Sequence, residues 1–146
     1  MRRAWLFLAA ILGVGCGSSS SGGGDGAPAC VTPPPADCQS LYDPPSYQTI
    51  FDQTFRRTCG VGSGTCHTSD AAKGGLVFED ADVAYGLLMG TIDGRKRVIP
   101  RDPGCSLLME RIESTDPSFQ MPPGDTPLSA PAQCAISKWI AGGAAR

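Results

Sequence analysis

The chain has 146 residues, with 12 Lys and Arg against 14 Asp and Glu, a formal net charge of −2 at pH 7, seven cysteines and a single histidine. That balance carries no electrostatic footprint for nucleic acid, and the length allows roughly one small folded domain, in which no internal repeat is visible. One histidine without a close cysteine pair leaves too few ligands for a zinc site, no glycine-rich phosphate cradle precedes a lysine, and a Cys-His neighbour pair points its side chains apart, against a cysteine hydrolase.

At the N-terminus, Arg2 and Arg3 precede an apolar run from Ala4 to Val14. The run is too short to span a bilayer and has the layout of a secretory signal. It ends in Leu12-Gly13-Val14-Gly15-Cys16, similar to a bacterial lipobox, with Gly13 where an aliphatic residue is usual. Residues 1–15 are therefore expected to be a lipoprotein signal peptide and Cys16 the lipidated N-terminus, anchoring the chain to a membrane. The alternative is ordinary cleavage that discards Cys16 or leaves it as a thiol. Gly17 after the cysteine resembles lipoproteins sorted to the outer membrane, and Arg2-Arg3 lacks the rest of a twin-arginine signal. Without residues 1–15 the chain keeps ten basic and fourteen acidic residues, a net charge of −4.

Residues 16–45 read as a Gly/Ser/Pro-rich tether, Gly/Ser-rich through Gly24 and then carrying Pro33-Pro34-Pro35 and Pro44-Pro45. Its first dozen residues reach roughly 20 Å as flexible coil. After Cys16 come Cys30, Cys38, Cys59, Cys66, Cys105 and Cys134, an even set in an exported chain, so disulfides are expected. Cys30 and Cys38 staple the tether's end to itself or to the domain, a local Cys30–Cys38 bridge being the expectation.

Residues 46–146 form the domain, read as all-α with about four short helices and long loops. Ser46 caps a helix with Tyr47, Ile50, Phe51 and Phe55 on one face, ending near Arg57. A second runs from Asp80 to Met89 with Val83, Ala84, Leu87 and Leu88 as its stripe, and Gly90 stops it. Asp102-Pro103 opens a third, with Cys105, Leu108, Met109 and Ile112 on one side. The last begins at Ser129 with Pro131 in its first turn, places Ala132, Ile136, Trp139 and Ile140 on one stripe, and ends at Gly142-Gly143. Nothing competes as a sheet; Val77-Phe78 and Val98-Ile99 are short extended pieces. Cys105 and Cys134 each sit on an apolar stripe, so a bridge pinning the third helix to the last is expected, contributing about 2–4 kcal/mol. So small a scaffold needs a staple or a cofactor.

His67 directly follows Cys66, and Cys59 lies upstream across Gly60-Val61-Gly62-Ser63-Gly64-Thr65. This is the outline of a covalent haem site, in which two cysteine sulfurs bond the haem vinyl groups and the adjacent imidazole lies under the iron. The usual spacing is two residues; here it is six, three of them glycines that let the segment bulge outward. A Cys59–Cys66 disulfide closing the same loop, with haem lost and the fold kept, is the other reading of this motif.

Around it run Gly74-Gly75-Leu76, Arg97-Val98-Ile99-Pro100-Arg101-Asp102-Pro103, Ser106-Leu107-Leu108, Met121-Pro122-Pro123-Gly124 and Trp139-Ile140-Ala141-Gly142-Gly143-Ala144. In this order they resemble the small class I c-type cytochrome domains of exported bacterial proteins, closest to those of planctomycetes and myxobacteria, over Tyr47 to Ala144. The resemblance implies covalent haem c, one per chain, with Cys59 and Cys66 as thioether links, His67 as proximal iron ligand and Met121 as distal ligand. Pro122-Pro123 would stiffen the loop offering Met121. Met89 and Met109 are weaker candidates, since methionines in helical patterns are usually core filler. The last helix would pack across the first, so that Trp139 meets Phe51 or Phe55 near the haem edge. Arg95-Lys96-Arg97 with Arg101 is the one basic cluster: a solvated loop, or a partner for haem propionates or an acidic redox protein.

The function so implied is one-electron transfer in the periplasm or at the outer membrane with redox proteins as partners, and not an enzyme, because both iron faces are taken. The alternatives are a haemless, disulfide-stapled binding or structural lipoprotein on the same fold, and a haem sensor or peroxidase in which Met121 is unbound.

Overall fold

The computed structural model describes residues 30–61 and 66–146. The expected signal peptide, Cys16, the Gly/Ser part of the expected tether and residues 62–65 of the cysteine loop lie outside the described residues.

Helix α1 spans Tyr47–Ile50, with the Ser46 side chain accepting from Thr49 N–H as its cap. It runs straight into wider π-helical turns over Phe51–Cys59, which close with Gly60 N–H donating to the Phe55 carbonyl at 3.0 Å, an i to i+5 bond. The expected helix is therefore two residues longer than its apolar stripe indicated and changes winding partway. Helix α2, Ala81–Leu88, starts where Asp80 Oδ1 accepts from the N–H groups of Asp82 and Val83. Its buried residues are Ala84 and Leu88, whereas Val83, assigned to the stripe, is 53 % exposed.

The architecture is mainly helical but not strictly all-α. After α2, strands β1 (Thr91–Ile92) and β2 (Arg95–Lys96) pair antiparallel, Thr91 opposite Lys96 and Ile92 opposite Arg95. Asp93 and Gly94 form the turn, both at positive φ (48° and 75°), the backbone a tight two-residue hairpin demands. Two-residue strands are too short to show alternation in sequence, and they lie elsewhere than the two extended pieces read there.

Helix α3, Leu107–Glu113, begins later than Asp102-Pro103 suggested. Ser106 occupies its cap position, but its Oγ turns to the preceding loop, accepting from Ile99 N–H at 2.8 Å and donating to the Asp102 carbonyl at 2.7 Å. Cys105 thus precedes the helix instead of lying on its stripe. Helix α4, Ala130–Ala141, starts after Ser129 with Pro131 near its beginning and ends at Gly142, as its sequence signals indicate.

The core is built from Ile50, Phe51, Phe55, Phe78, Leu88, Val98, Met109, Ile136, Trp139 and Ile140 with smaller neighbours. Helix α4 does pack against α1, but the ring partner of Trp139 is Tyr47 (centroids 5.5 Å apart), not Phe51 or Phe55. Its indole N–H donates to the Ala145 carbonyl at 2.8 Å.

The disulfides join the expected four cysteines in a different pairing. Cys30 is bridged to Cys105 and Cys38 to Cys134, so neither the local Cys30–Cys38 bridge nor the Cys105–Cys134 bridge forms. The physical reason is the course of residues 30–45. Val31 N–H donates to the Gly104 carbonyl and Leu41 N–H to that of Pro131, both at 2.9 Å. Lys138 Nζ donates to the Cys38 carbonyl at 2.8 Å, and Tyr42 Oη lies 2.9 Å from Thr54 Oγ1. What reads as the end of a tether is a strap along the domain. Gly104 permits the crossing: a Cβ there would stand 2.8 Å from the Val31 carbonyl oxygen. Among the described residues no helix is long and apolar enough to cross a membrane.

Candidate functional site

The cysteine loop is closed by its backbone. His67 N–H donates to the Cys59 carbonyl at 3.2 Å, so six intervening residues still return the chain to the end of the π-helical turns. On its far side the Cys66 carbonyl accepts from Lys73 N–H (2.9 Å) and the His67 carbonyl from Phe78 N–H (2.7 Å). Gly60 makes the close approach possible, because a Cβ there would lie 2.8 Å from the Phe78 carbonyl oxygen and 3.1 Å from that of Arg56. Cys59 and Cys66 are both half-buried free thiols, so the Cys59–Cys66 bridge of the haemless reading is not formed. Burial, and then the neighbouring Cys66, push the Cys59 thiol up to about 11.

The His67 ring is fixed at one nitrogen. Nδ1 lies 3.2 Å from the Leu76 carbonyl oxygen; as a carbonyl can only accept, Nδ1 carries the proton and Nε2 keeps its lone pair. Phe78 packs edge-on to the ring, centroids 5.4 Å apart, and is itself stacked on Phe55 at 4.9 Å. Burial lowers the His67 pKa, outweighing the backbone hydrogen bonds at Leu76 and Lys73 that act the other way. The ring is held neutral, the form that ligates a metal, with its second nitrogen tied to a carbonyl as metal-binding histidines usually are.

His67 faces a cleft of two lobes that share Phe55, Cys59, His67 and Met121 in their walls. The inner lobe, about 190 Å³, is apolar: Leu76, Phe78, Leu88, Ile92, Leu107 and Leu108 line it, with Lys73, Arg97 and Arg111 at its boundary. The outer lobe, about 690 Å³, is walled by Cys66, Thr54, Thr58, Pro122, Pro123 and the stretch from Thr126 to Ser129. Of the methionines weighed in the sequence, Met121 is the one that lines the cleft; Met109 is fully buried in the core and Met89 packs at its edge. Met121 N–H donates to the Arg111 carbonyl at 2.8 Å.

The basic cluster is divided in space. Arg97 Nη2 donates to the Gly74 carbonyl at 2.7 Å and Nη1 to that of Leu87 at 3.0 Å, tying the glycine turn to the end of α2 along the inner lobe. Arg95 pairs with the fully buried Glu110, while Lys96 and Arg101 are exposed. Lys73 and Arg111, the other cationic wall residues, carry no mark in the sequence. Among the described residues no three His, Cys, Asp or Glu side chains converge to hold a bare metal ion.

Residues 64–125 match the family model described as planctomycete cytochrome C, which bears out the resemblance over that stretch. The matched span contains Cys66, His67 and Met121 and begins after Cys59. No curated protein and no solved structure matches the chain.

Proposed function

We propose that the chain is a single-haem c-type cytochrome of the small class I kind, an electron carrier and not an enzyme. The observation that carries this reading is the meeting of His67, its Nδ1 satisfied and its ring neutral, with Met121 in the walls of one apolar cleft that has two free thiols at its edge. Cys59 and Cys66 would hold the haem by thioether links, His67 Nε2 would be the proximal ligand and Met121 Sδ the distal one. The donor set suits the group, pairing an imidazole with a soft thioether across an apolar space. Bound there, haem supplies a one-electron iron couple, and a thioether opposite an imidazole raises its potential. The protein's own part is to orient His67 through Leu76, to exclude water with Phe55, Phe78, Leu88 and Leu108, and to leave no open ligand position for a substrate. In the cell the domain would be exported, anchored through lipid on Cys16 at the outer membrane, facing the periplasm or cell surface, and would exchange electrons with redox proteins.

The test is the visible spectrum of the full chain produced with haem-attachment machinery. The reading expects haem absorbance that survives alkaline denaturation, and a weak sulfur-to-iron band towards the red that Met121→Ala abolishes. A band unchanged in the Met121→Ala variant removes Met121 from the iron, and a denatured chain without haem absorbance overturns the proposal.

A further inference from the structure

Helix α3 and the loop that carries Met121 are joined through one side chain. Arg111, half-buried near the end of α3, borders the inner lobe of the cleft. Its Nη1 donates to the Phe119 carbonyl at 3.0 Å, its guanidinium carbon lies 3.9 Å from the centroid of the Phe119 ring, and its own carbonyl accepts from Met121 N–H at 2.8 Å. Beyond Met121, Gln120 Nε2 donates to the carbonyls of Pro122 and Gly124, each at 3.3 Å. Before it, the N–H groups of Phe119 and Gln120 both donate to the Asp116 carbonyl, at 2.9 and 2.7 Å.

We propose that Arg111 is a positioning residue that clamps residues 119–121 to α3 and so fixes the Met121 side chain in the cleft. The spectroscopic part of this proposal rests on the haem reading above; the clamp itself does not. A planar guanidinium does two things here that an ammonium cannot do together: its edge donates to the Phe119 carbonyl while its face covers the Phe119 ring. Backbone and ring of a residue two positions before Met121 are thereby held by one group. The bond from Met121 N–H to the Arg111 carbonyl is backbone to backbone and stays available whatever side chain stands at 111, so substitution isolates the guanidinium. A lost charge-assisted hydrogen bond corresponds to roughly tenfold or more in a local opening equilibrium.

The experiment measures amide hydrogen exchange at Gln120 and Met121 in the full chain, together with the sulfur-to-iron band and the reduction potential of the haem-loaded form. Arg111→Met should speed exchange at both amides by about tenfold or more while amides of α4 keep their rates. It should also weaken the band and lower the potential, with Arg111→Lys intermediate. Phe119→Leu, which keeps the arginine and removes only the ring face, should shift all three readouts the same way by less. Unchanged exchange, band and potential in Arg111→Met overturn the proposal, as does exchange that rises equally in α4, which would make Arg111 a general stabiliser. If Arg111→Met does not fold, Phe119→Leu decides on the same readouts. A chain that carries no haem at all refutes the cytochrome reading, and exchange at Met121 still decides the clamp.

Discussion

Removing the Cys38–Cys134 bridge with paired serine substitutions tests the strap most quantitatively. The two cysteines are 96 residues apart in sequence, and a lone loop of that length removes about 4.7 kcal/mol of unfolded-chain entropy at 25 °C. The bridges overlap, however, and Cys30–Cys105 already brings distant parts of the unfolded chain together. With that bridge intact, the path from Cys38 back through Cys30, across to Cys105 and on to Cys134 is about 37 residues, for which the same relation gives about 4 kcal/mol. Native bridges usually contribute about 2–5 kcal/mol on removal, so Cys38→Ser/Cys134→Ser should lose about 2–4 kcal/mol in urea unfolding. The change should appear in the midpoint, with part of it in the slope because the unfolded chain is looser. A loss below about 1 kcal/mol would refute the entropic argument. Thiol titration of the same denatured, unreduced variant tests the pairing. The observed pairing exposes no additional thiols, whereas Cys30–Cys38 and Cys105–Cys134 bridges would have left two orphaned cysteines.

Gly60→Ala should destabilise the fold by about 1–3 kcal/mol, the usual cost of overpacking, because the new methyl would meet the backbone oxygens of Phe78 and Arg56; a thermal or urea midpoint matching the parent would contradict the close approach. Glu113 is held above the usual carboxylate range by burial, with Oε1 lacking a partner. A raised folded-state value means that the folded chain takes up this proton before the unfolded chain does, so the charged form is the destabilising one. Glu113→Gln should therefore be more stable than the parent at neutral pH, and the gap should close as pH falls through the raised range towards the ordinary glutamate value of about 4.3; a gap that widens on acidification would refute the sign. In haem-free chain, the half-buried Cys59 thiol, its pKa raised by desolvation, should resist iodoacetamide at pH 8 and react as pH approaches 11; modification at pH 8 as fast as in the denatured chain would contradict that desolvation.

Helices α2 and α4 were legible because local chemistry marks both of their ends: Asp80 before α2, Ser129 and Pro131 opening α4, glycines after each. The start of α3 was misplaced because Asp102-Pro103 imitates a helix start, while the strap crossing at Gly104 and the outward turn of Ser106 Oγ delay the helix to Leu107. Both are tertiary contacts that no local pattern carries. The π-helical winding of Phe51–Cys59 was hidden for a related reason, since a spacing of four between Phe51, Phe55 and Cys59 suits either winding. At the site, His67 and Met121 stood out by residue type and by their ordered surroundings, and they do line one cleft. Leu76 as acceptor for the ring, and Arg111 as the link between α3 and the Met121 loop, lie nine and ten residues from their partners. Helical or strand periodicity says nothing at that range. Disulfide partners were equally out of reach, because an even count of cysteines permits every pairing.

The most direct measurement is the mass of the peptide spanning Cys59 to His67, cut from full chain made with haem-attachment machinery, without reduction. The account predicts that peptide to carry the mass of one haem, with neither Cys59 nor Cys66 open to alkylation. A haem-free peptide lighter by two hydrogens, its cysteines oxidised to each other, would contradict it.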